Sequence, residues 1–110
     1  MPAVNLTVEV HGIQPSWVYR ITDTDYTPSI YRFYINNDLL TERTWIWNNN
    51  NYIQENAWIH SVPNSQNTLT IEPIIKNPAQ IKFKLSNFNI INYPFVYKQI
   101  NEHTISFTLQ

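Results

Sequence analysis

The chain lacks cysteine altogether and contains a single glycine. Without thiols it can form neither disulfides nor the thiolate ligand sets of structural zinc sites. One glycine also cannot supply the glycine-rich loop that cradles a nucleotide phosphate. Disulfide frameworks, thiolate metal centres and glycine-loop phosphate sites are therefore excluded.

Charge is also scarce, at 14% of the residues with a formal net charge of −1. No basic field is present to attract nucleic acid or an anionic membrane surface. No apolar run approaches the roughly 20 residues of a membrane-spanning helix. We therefore expect neither a nucleic acid nor a membrane as partner. Weak self-repulsion suits a chain that packs against copies of itself.

Aromatic residues, by contrast, are abundant, at 15% of a chain that is 43% hydrophobic. A length of 110 residues is enough for one two-layer core and too short for a second. We therefore expect a single domain over residues 1–110.

Apolar residues recur with a period of two almost everywhere, as in half-buried β-strands. The turn signals between the runs include His11-Gly12, Asn37-Asp38, Pro63 and Pro73. The predicted strands are residues 4–10, 17–21, 31–35, 43–47, 56–62, 68–71, 80–85, 88–91 and 104–109. Helical spacing is limited to one short turn at residues 39–43. The pattern predicts an all-β fold, an antiparallel β-sandwich or jelly roll of about eight strands, with asparagine in the left-handed turn positions.

The stretch ERTWIWNNNNY, residues 42–52, is the most unusual feature of the sequence. On a strand, Trp45 and Trp47 point to one face and Ile46 to the other. Either the two indoles are exposed with Ile46 in the core, or the indoles are buried. The four asparagines at 48–51 predict a surface loop, because so many adjacent amides could hardly all be hydrogen-bonded inside a core.

Two further aromatic residues alternate with apolar neighbours, namely Tyr34 beside Phe33 and Trp58 beside Ile59. If the apolar neighbours face the core, Tyr34 and Trp58 share an exposed face with the tryptophans at 45 and 47. Alternatively, these strands lie in different sheets and their rings fill the sandwich. Exposed rings with amides at the rim are typical of both sugar-binding and protein–protein contacts. The predicted interface or ligand-binding residues are Tyr34, Trp45, Trp47, Asn49, Asn50, Tyr52 and Trp58.

Metal and catalytic signals are weak. Asp23 and Asp25 have the alternate spacing of a calcium-binding loop, and the candidates for a third carboxylate are Asp38, Glu42 and Glu55. The same two aspartates also favour a turn that caps its own backbone. The three histidines lack metal-ligand spacing. We expect no enzymatic activity and no cofactor.

Residues 31–60, NTLTIEPI at 67–74 and QIKFKLSNFNIINYPF at 80–95 resemble carbohydrate-binding-module-like β-sandwiches. In particular, they resemble small virion-associated proteins and domains of marine cyanophages. The resemblance implies a non-enzymatic phage structural protein, such as a capsid decoration, spike or fibre component. Its partners would be other virion proteins and copies of itself, and it would be located in the virion after assembly in the host cytoplasm. The alternative is a module that recognises a host-surface or matrix glycan.

Overall fold

The computed structural model describes residues 3–13, 30–44, 52–74 and 82–110. These residues form eight β-strands, and none of them is helical. The strands are β1 (Ala3–Ile13), β2 (Ile30–Ile35), β3 (Asp38–Thr44), β4 (Tyr52–His60), β5 (Gln66–Ile74), β6 (Lys82–Ile90), β7 (Phe95–Asn101) and β8 (Thr104–Leu109).

The strands form two antiparallel sheets that pack face to face. The three-stranded sheet has the order β4-β1-β6, and the five-stranded sheet has the order β3-β2-β5-β8-β7. Among the eight described strands, β2–β3 and β7–β8 form hairpins within a sheet, and all other consecutive strands lie in opposite sheets. The prediction of an all-β antiparallel sandwich is confirmed.

The core lies between the sheets and is built by the period-two alternation. Val4, Leu6, Val8 and Val10 of β1 are all fully buried. Each such side chain contributes about 1.5–3 kcal/mol when removed from water. Aromatic rings join the sheets at both ends of the sandwich, at one end through Tyr31 and Phe83 and at the other through Phe88 and Phe107. Their ring centroids lie 5.3 Å and 5.1 Å apart, respectively.

Asparagine supplies the left-handed backbone, as predicted. The described non-glycine residues with positive φ are Asn36, Asn37, Asn64 and Asn87. Asn36 and Asn37 form the two-residue turn between β2 and β3, one residue earlier than the predicted Asn37-Asp38 turn. Positive φ at both central residues matches the twist of the flanking strands. Gly12 does not form the predicted turn with His11, since both residues continue β1.

The predicted helical turn at residues 39–43 is wrong. These residues belong to β3, which pairs with β2 from Ile35 opposite Asp38 to Ile30 opposite Thr44. The tight asparagine turn fixes this register, and a β-bulge opposite Phe33 and Tyr34 adds the extra residue. Hairpin pairing therefore overrides the local helical preference of the sequence LLTER.

Pro73 does not end a strand, as was predicted, but lies inside β5 opposite Tyr31. The Ile71 N–H donates to the His103 carbonyl, so the backbone N–H groups of Ile71 and of every second residue from it point toward the β8 side of β5. Pro73 is one of these residues. β8 begins only at Thr104, opposite Thr70. The N–H that proline lacks would therefore point to a side where β8 is absent.

Other strand boundaries also differ from the predicted ones. β4 begins at Tyr52 instead of residue 56, and β6 joins the predicted runs 80–85 and 88–91 across a bulge. β7 was not predicted, because its side chains are exposed on both faces and show no alternation. The predicted strand at 17–21 and residues 45–47 of another lie outside the described residues.

Candidate binding groove

β4 forms one edge of the three-stranded sheet and pairs with β1 over nine consecutive residue pairs without a register shift. Its side chains therefore alternate strictly between the two faces. The outward, exposed side chains are Tyr52, Gln54, Asn56, Trp58 and His60, and the inward ones are Ile53, Glu55, Ala57 and Ile59. Trp58 is 65% exposed, the largest exposed fraction among the large hydrophobic residues of the described segments.

A groove of about 350 Å³ runs between β4 and β3. It exists because the five-stranded sheet is wider than its partner, so that β3 extends past the edge formed by β4. We call this the β3–β4 groove. Its accessible lining residues are Leu40, Thr41 and Arg43 from β3 and Asn56, Ala57 and Trp58 from β4. The buried Phe33 and Glu55 complete its inner wall.

Glu55 is the one carboxylate among the described residues that is buried, at 3% exposure. Its Oε2 accepts a hydrogen bond of 2.8 Å from the Tyr31 hydroxyl. Arg43 donates through Nε at 3.1 and 3.2 Å and through Nη2 at 2.9 Å. The three side chains come from β4, β2 and β3, so the cluster ties the edge of one sheet to the other. Because the carboxylate already has these partners, it is not available as the third carboxylate that a calcium-binding loop at Asp23 and Asp25 would need.

The surroundings of Tyr31 and Arg43 fix the protonation states of both side chains. Burial, and then the nearby charge of Glu55, raise the pKa of the Tyr31 phenol far above its ordinary value. Hydrogen bonding and attraction to Glu55 raise the pKa of Arg43 above its already high value. Tyr31 therefore stays protonated and Arg43 stays cationic, so the groove has a permanent guanidinium along its floor.

A second polar cluster lies on the outer face of the three-stranded sheet. Glu9 Oε1 accepts hydrogen bonds from His11 Nε2 and Asn87 Nδ2, each at 2.8 Å. The His11 ring stacks on Tyr52 with centroids 5.2 Å apart. The His11 hydrogen bond, followed by that from Asn87, lowers the pKa of the Glu9 carboxyl. This cluster joins all three strands of the sheet.

The predicted site residues are divided between surfaces. Tyr52 and Trp58 share the outward face of β4, six residues or roughly 20 Å apart at the usual rise of a strand. Tyr34 lies on β2 of the other sheet, where its hydroxyl is 3.5 Å from Glu72. The hypothesis that Tyr34 and Trp58 share one exposed face is therefore wrong. Trp45, Trp47, Asn49 and Asn50 lie outside the described residues, as do Asp23 and Asp25.

Sequence reasoning missed Arg43 as a groove residue and the role of Glu55. One signal was present: Glu55 falls on the inward parity of Ile53, Ala57 and Ile59, so a carboxylate interrupts an otherwise apolar face. Such a carboxylate needs a cation or several donors when it is buried. The pattern alone does not identify Arg43, because that pairing depends on how the two sheets are stacked.

The described lining residues offer apolar surface, a hydroxyl, an amide and a guanidinium, which suit the groove to binding. In the described ranges, no cluster of three His, Asp or Glu side chains is arranged to hold a metal ion. The described segments also contain no helix able to cross a membrane. No protein-family model matches the chain, and neither a curated protein nor a solved structure matches it.

Proposed function

We propose that the chain is a non-enzymatic assembly domain of a phage particle, such as a capsid decoration, spike or fibre component. It acts through contacts with other virion proteins and with copies of itself. The β-sandwich architecture suits this role, because two rigid sheets hold the edge strands in place as contact surfaces. The sequence resemblance of residues 31–95 to virion-associated sandwich domains supports the phage setting.

The observation that carries the proposal is the position of the exposed apolar side chains. Of the nine large hydrophobic residues that are exposed in the described segments, seven lie on the edge strands β3, β4 and β7. They are Leu39, Leu40, Tyr52, Trp58, Val96, Tyr97 and Ile100. Single exposed apolar residues are common, but clusters on strand edges are typical of surfaces that bind other proteins.

The two clusters lie on opposite sides of the sandwich. β3 and β4 form one side, and β7 forms the other, because β3 and β7 end the five-stranded sheet. A subunit with a contact surface on each side can bind one neighbour at each, as repeated virion components do. Low net charge lets such copies approach without strong repulsion.

The test is the assembly state of the purified chain and of a variant altered on β7. Val96→Lys with Ile100→Lys places two cations on a contact surface whose side chains are about half exposed. We expect association to weaken at least about thirtyfold, since the loss of an interface anchor costs about 2 kcal/mol or more. Sedimentation velocity over a range of concentrations measures this.

Asn89→Lys is the matched control, because Asn89 is exposed on β6, away from the proposed contacts. It should leave association unchanged. The proposal would be contradicted if the wild-type chain stayed monomeric at high concentration and also could not be cross-linked to any protein of the phage particle.

The second candidate function is glycan binding, and the outward face of β4 favours it. Trp58 and Tyr52 are exposed there with the amides of Gln54 and Asn56 between them. Flat rings suit the C–H faces of a sugar, and amides suit its hydroxyls. Glycan-array binding that is lost in Trp58→Ala, with the melting temperature unchanged, would support this function. Association defects without any glycan binding would support the assembly function.

A further inference from the structure

The four edge strands of the sandwich differ in how they are protected against pairing with another chain. β3 and β7 each carry a β-bulge, and both carry exposed charged residues such as Glu42 and Lys98. Bulges and charges are the usual protection of an edge strand. The edge of β6 is covered by the β7–β8 hairpin: the Leu85 carbonyl accepts a hydrogen bond from Gln99, and the Leu85 N–H donates one to the Glu102 carbonyl.

β4 has none of these protections within the described residues. It is regular over all nine of its pairs with β1, and its one charged side chain, Glu55, points inward. No described strand pairs with its outer edge. A long, flat and uncharged edge is a template for one more strand, because alternate backbone N–H and C=O groups point outward along it.

The β3–β4 groove provides the space that such an additional strand would occupy. Neighbouring strands lie about 4.8 Å apart and packed sheets about 10 Å apart. A strand added to β4 would therefore lie above β3, with its inward side chains directed at Leu40, Thr41 and Arg43. β3 is exposed along almost its whole length, which leaves this floor accessible.

A second copy of β4 does not fit this position. In a symmetric β4–β4 pair, the overhanging β3 of each copy would occupy the space of the other copy's β2. A single extended segment has no second sheet beneath it and meets no such obstacle. β4 also has no exposed carboxylate to offer to Arg43.

Charge complementarity indicates the chemistry of the segment. Arg43 binds Glu55 through Nε and Nη2, but its side chain is 49% exposed whereas that of Glu55 is only 3% exposed, so the cation is the accessible member of the pair at the groove. Leu40 and Ala57 supply apolar surface beside it. A segment that places apolar side chains and one carboxylate on the same face matches this floor.

We propose that an extended acidic segment of a partner protein binds in the β3–β4 groove as a fourth strand of the three-stranded sheet, with a carboxylate toward Arg43. The inference rests on the proposed assembly function, for which it supplies one contact site and the chemistry of the partner. Main-chain hydrogen bonds to β4 provide affinity, and the floor of β3 provides specificity.

The probe is the blocked peptide Thr-Val-Thr-Glu-Thr-Val-Thr, which presents Val, Glu and Val on one face and reads the same in both directions. It is titrated into the full-length isotope-labelled chain, and binding is followed by NMR amide shifts. We expect shifts along β3 and β4. A peptide with Lys in place of Glu should bind at least about tenfold more weakly, because it brings a like charge to Arg43. A peptide N-methylated at alternate amides along the edge that meets β4 should not bind.

Leu40→Glu and Leu39→Glu form the matched variant pair. Both leucines are exposed on β3, at 44% and 53%, so neither substitution threatens the core. Leu40 lines the groove and Leu39 does not. We expect Leu40→Glu to weaken peptide binding about tenfold or more through like-charge repulsion, and Leu39→Glu to leave it unchanged.

Three results would overturn the inference. They are the absence of peptide binding, an equal loss in both leucine variants, and binding of an acidic oligosaccharide in the groove that Leu40→Glu abolishes. Disulfide cross-linking of Asn56→Cys chains to each other would assign the edge to a second copy and would also overturn it. If association through β7 persists while no peptide binds, the inference fails and the proposed assembly function stands.

Discussion

The two edges of the three-stranded sheet, β6 and β4, differ in whether other described residues cover their outer backbone groups. On the β6 side, the Leu85 carbonyl accepts from Gln99 Nε2 at 2.9 Å, and the Leu85 N–H donates to the Glu102 carbonyl at 2.8 Å. His103 Nε2 adds a hydrogen bond of 3.0 Å to the Phe83 carbonyl. The β7–β8 hairpin thus satisfies backbone groups that the edge would otherwise expose.

On the β4 side, the described residues provide no comparable cover. There, a hydrogen-bonded cluster of the buried Glu55 with Tyr31 and Arg43 connects the two sheets and holds β3 at a fixed position. No described strand pairs with the outer edge of β4. The two edges show that a sandwich can cover one edge of a sheet with its own hairpin while its described strands leave the other edge uncovered. A hairpin closes an edge only if it folds over it, and β2–β3 instead forms the floor of a groove.

The largest expected effect is on the closed side. Phe88 is 6% exposed and contacts the rings of Phe95, Tyr97 and Phe107 beneath the β7–β8 hairpin. Phe88→Ala should lower the free energy of unfolding by about 3–5 kcal/mol, because it removes buried area and leaves a cavity. Urea denaturation measures the loss. The exposed neighbour in Asn89→Ala should change it by less than about 0.5 kcal/mol, and a similar loss in both variants would contradict this account of the closed side.

The next effect is on the open side. Arg43→Met leaves the Glu55 carboxylate buried without its cation, and we expect a loss of about 2 kcal/mol. This is less than for a fully buried pair, because Arg43 is about half exposed. Adding Glu55→Gln to the variant should recover part of the loss, as measured by urea denaturation.

Arg32→Met is the control for this experiment, because Arg32 pairs with Glu42 and Glu72 only on the surface, at 3.6 and 3.5 Å. Its loss should be about 0–1 kcal/mol. Equal losses at Arg43 and Arg32 would show that the buried cluster does not hold the groove in place.

A variant with a smaller expected effect on stability tests the difference between the β6 and β4 edges directly. Gln99→Ala removes the side-chain hydrogen bond to the Leu85 carbonyl and should cost about 1 kcal/mol. Hydrogen exchange should speed up at backbone amides of β6 and not at those of β4, because only the β6 edge loses cover. The control is Gln66→Ala, which removes a surface hydrogen bond to Ser106. Unchanged exchange in β6 would mean that Gln99 does not protect this edge.

The smallest effect concerns pH and the outer face that both edges share. The lowered pKa of Glu9 means that its carboxylate stabilises the fold above the unfolded-state pKa of about 4.3 and that this contribution is lost as the pH falls through the folded-state value. In Glu9→Gln, the melting temperature should therefore fall less steeply than in the wild type between about pH 5 and 3. Identical slopes would show that the hydrogen bonds from His11 and Asn87 do not contribute.

Local sequence patterns predicted the strands that have one buried face. The alternation of Val4, Leu6, Val8 and Val10 marked β1, and that of Ile105, Phe107 and Leu109 marked β8. β7 was missed for a physical reason: as an outer strand of the wider sheet it only contacts the edge of β6, so every side chain but Phe95 is exposed and no alternation of buried and exposed residues develops.

The candidate site was only partly predictable. Tyr52 and Trp58 were expected at a contact surface, and they share the exposed face of β4. Tyr34 was expected beside them, but strand β2 belongs to the other sheet. Parity along a strand shows which residues share a face, whereas the sheet that a strand joins depends on pairings between residues distant in the sequence.

By itself, the sequence determined an all-β chain with one apolar face per covered strand and asparagine at left-handed turns, because these properties depend on side-chain alternation and local backbone sterics. The division of the strands into sheets of three and five, in contrast, becomes known only from the folded chain. That unequal division places β4 at an edge with which no other described strand pairs, forms the groove between β4 and β3, and brings Arg43 to Glu55. The reason is that sheet width, edge cover and ion pairing between sheets are set by long-range strand pairing, which no local pattern encodes.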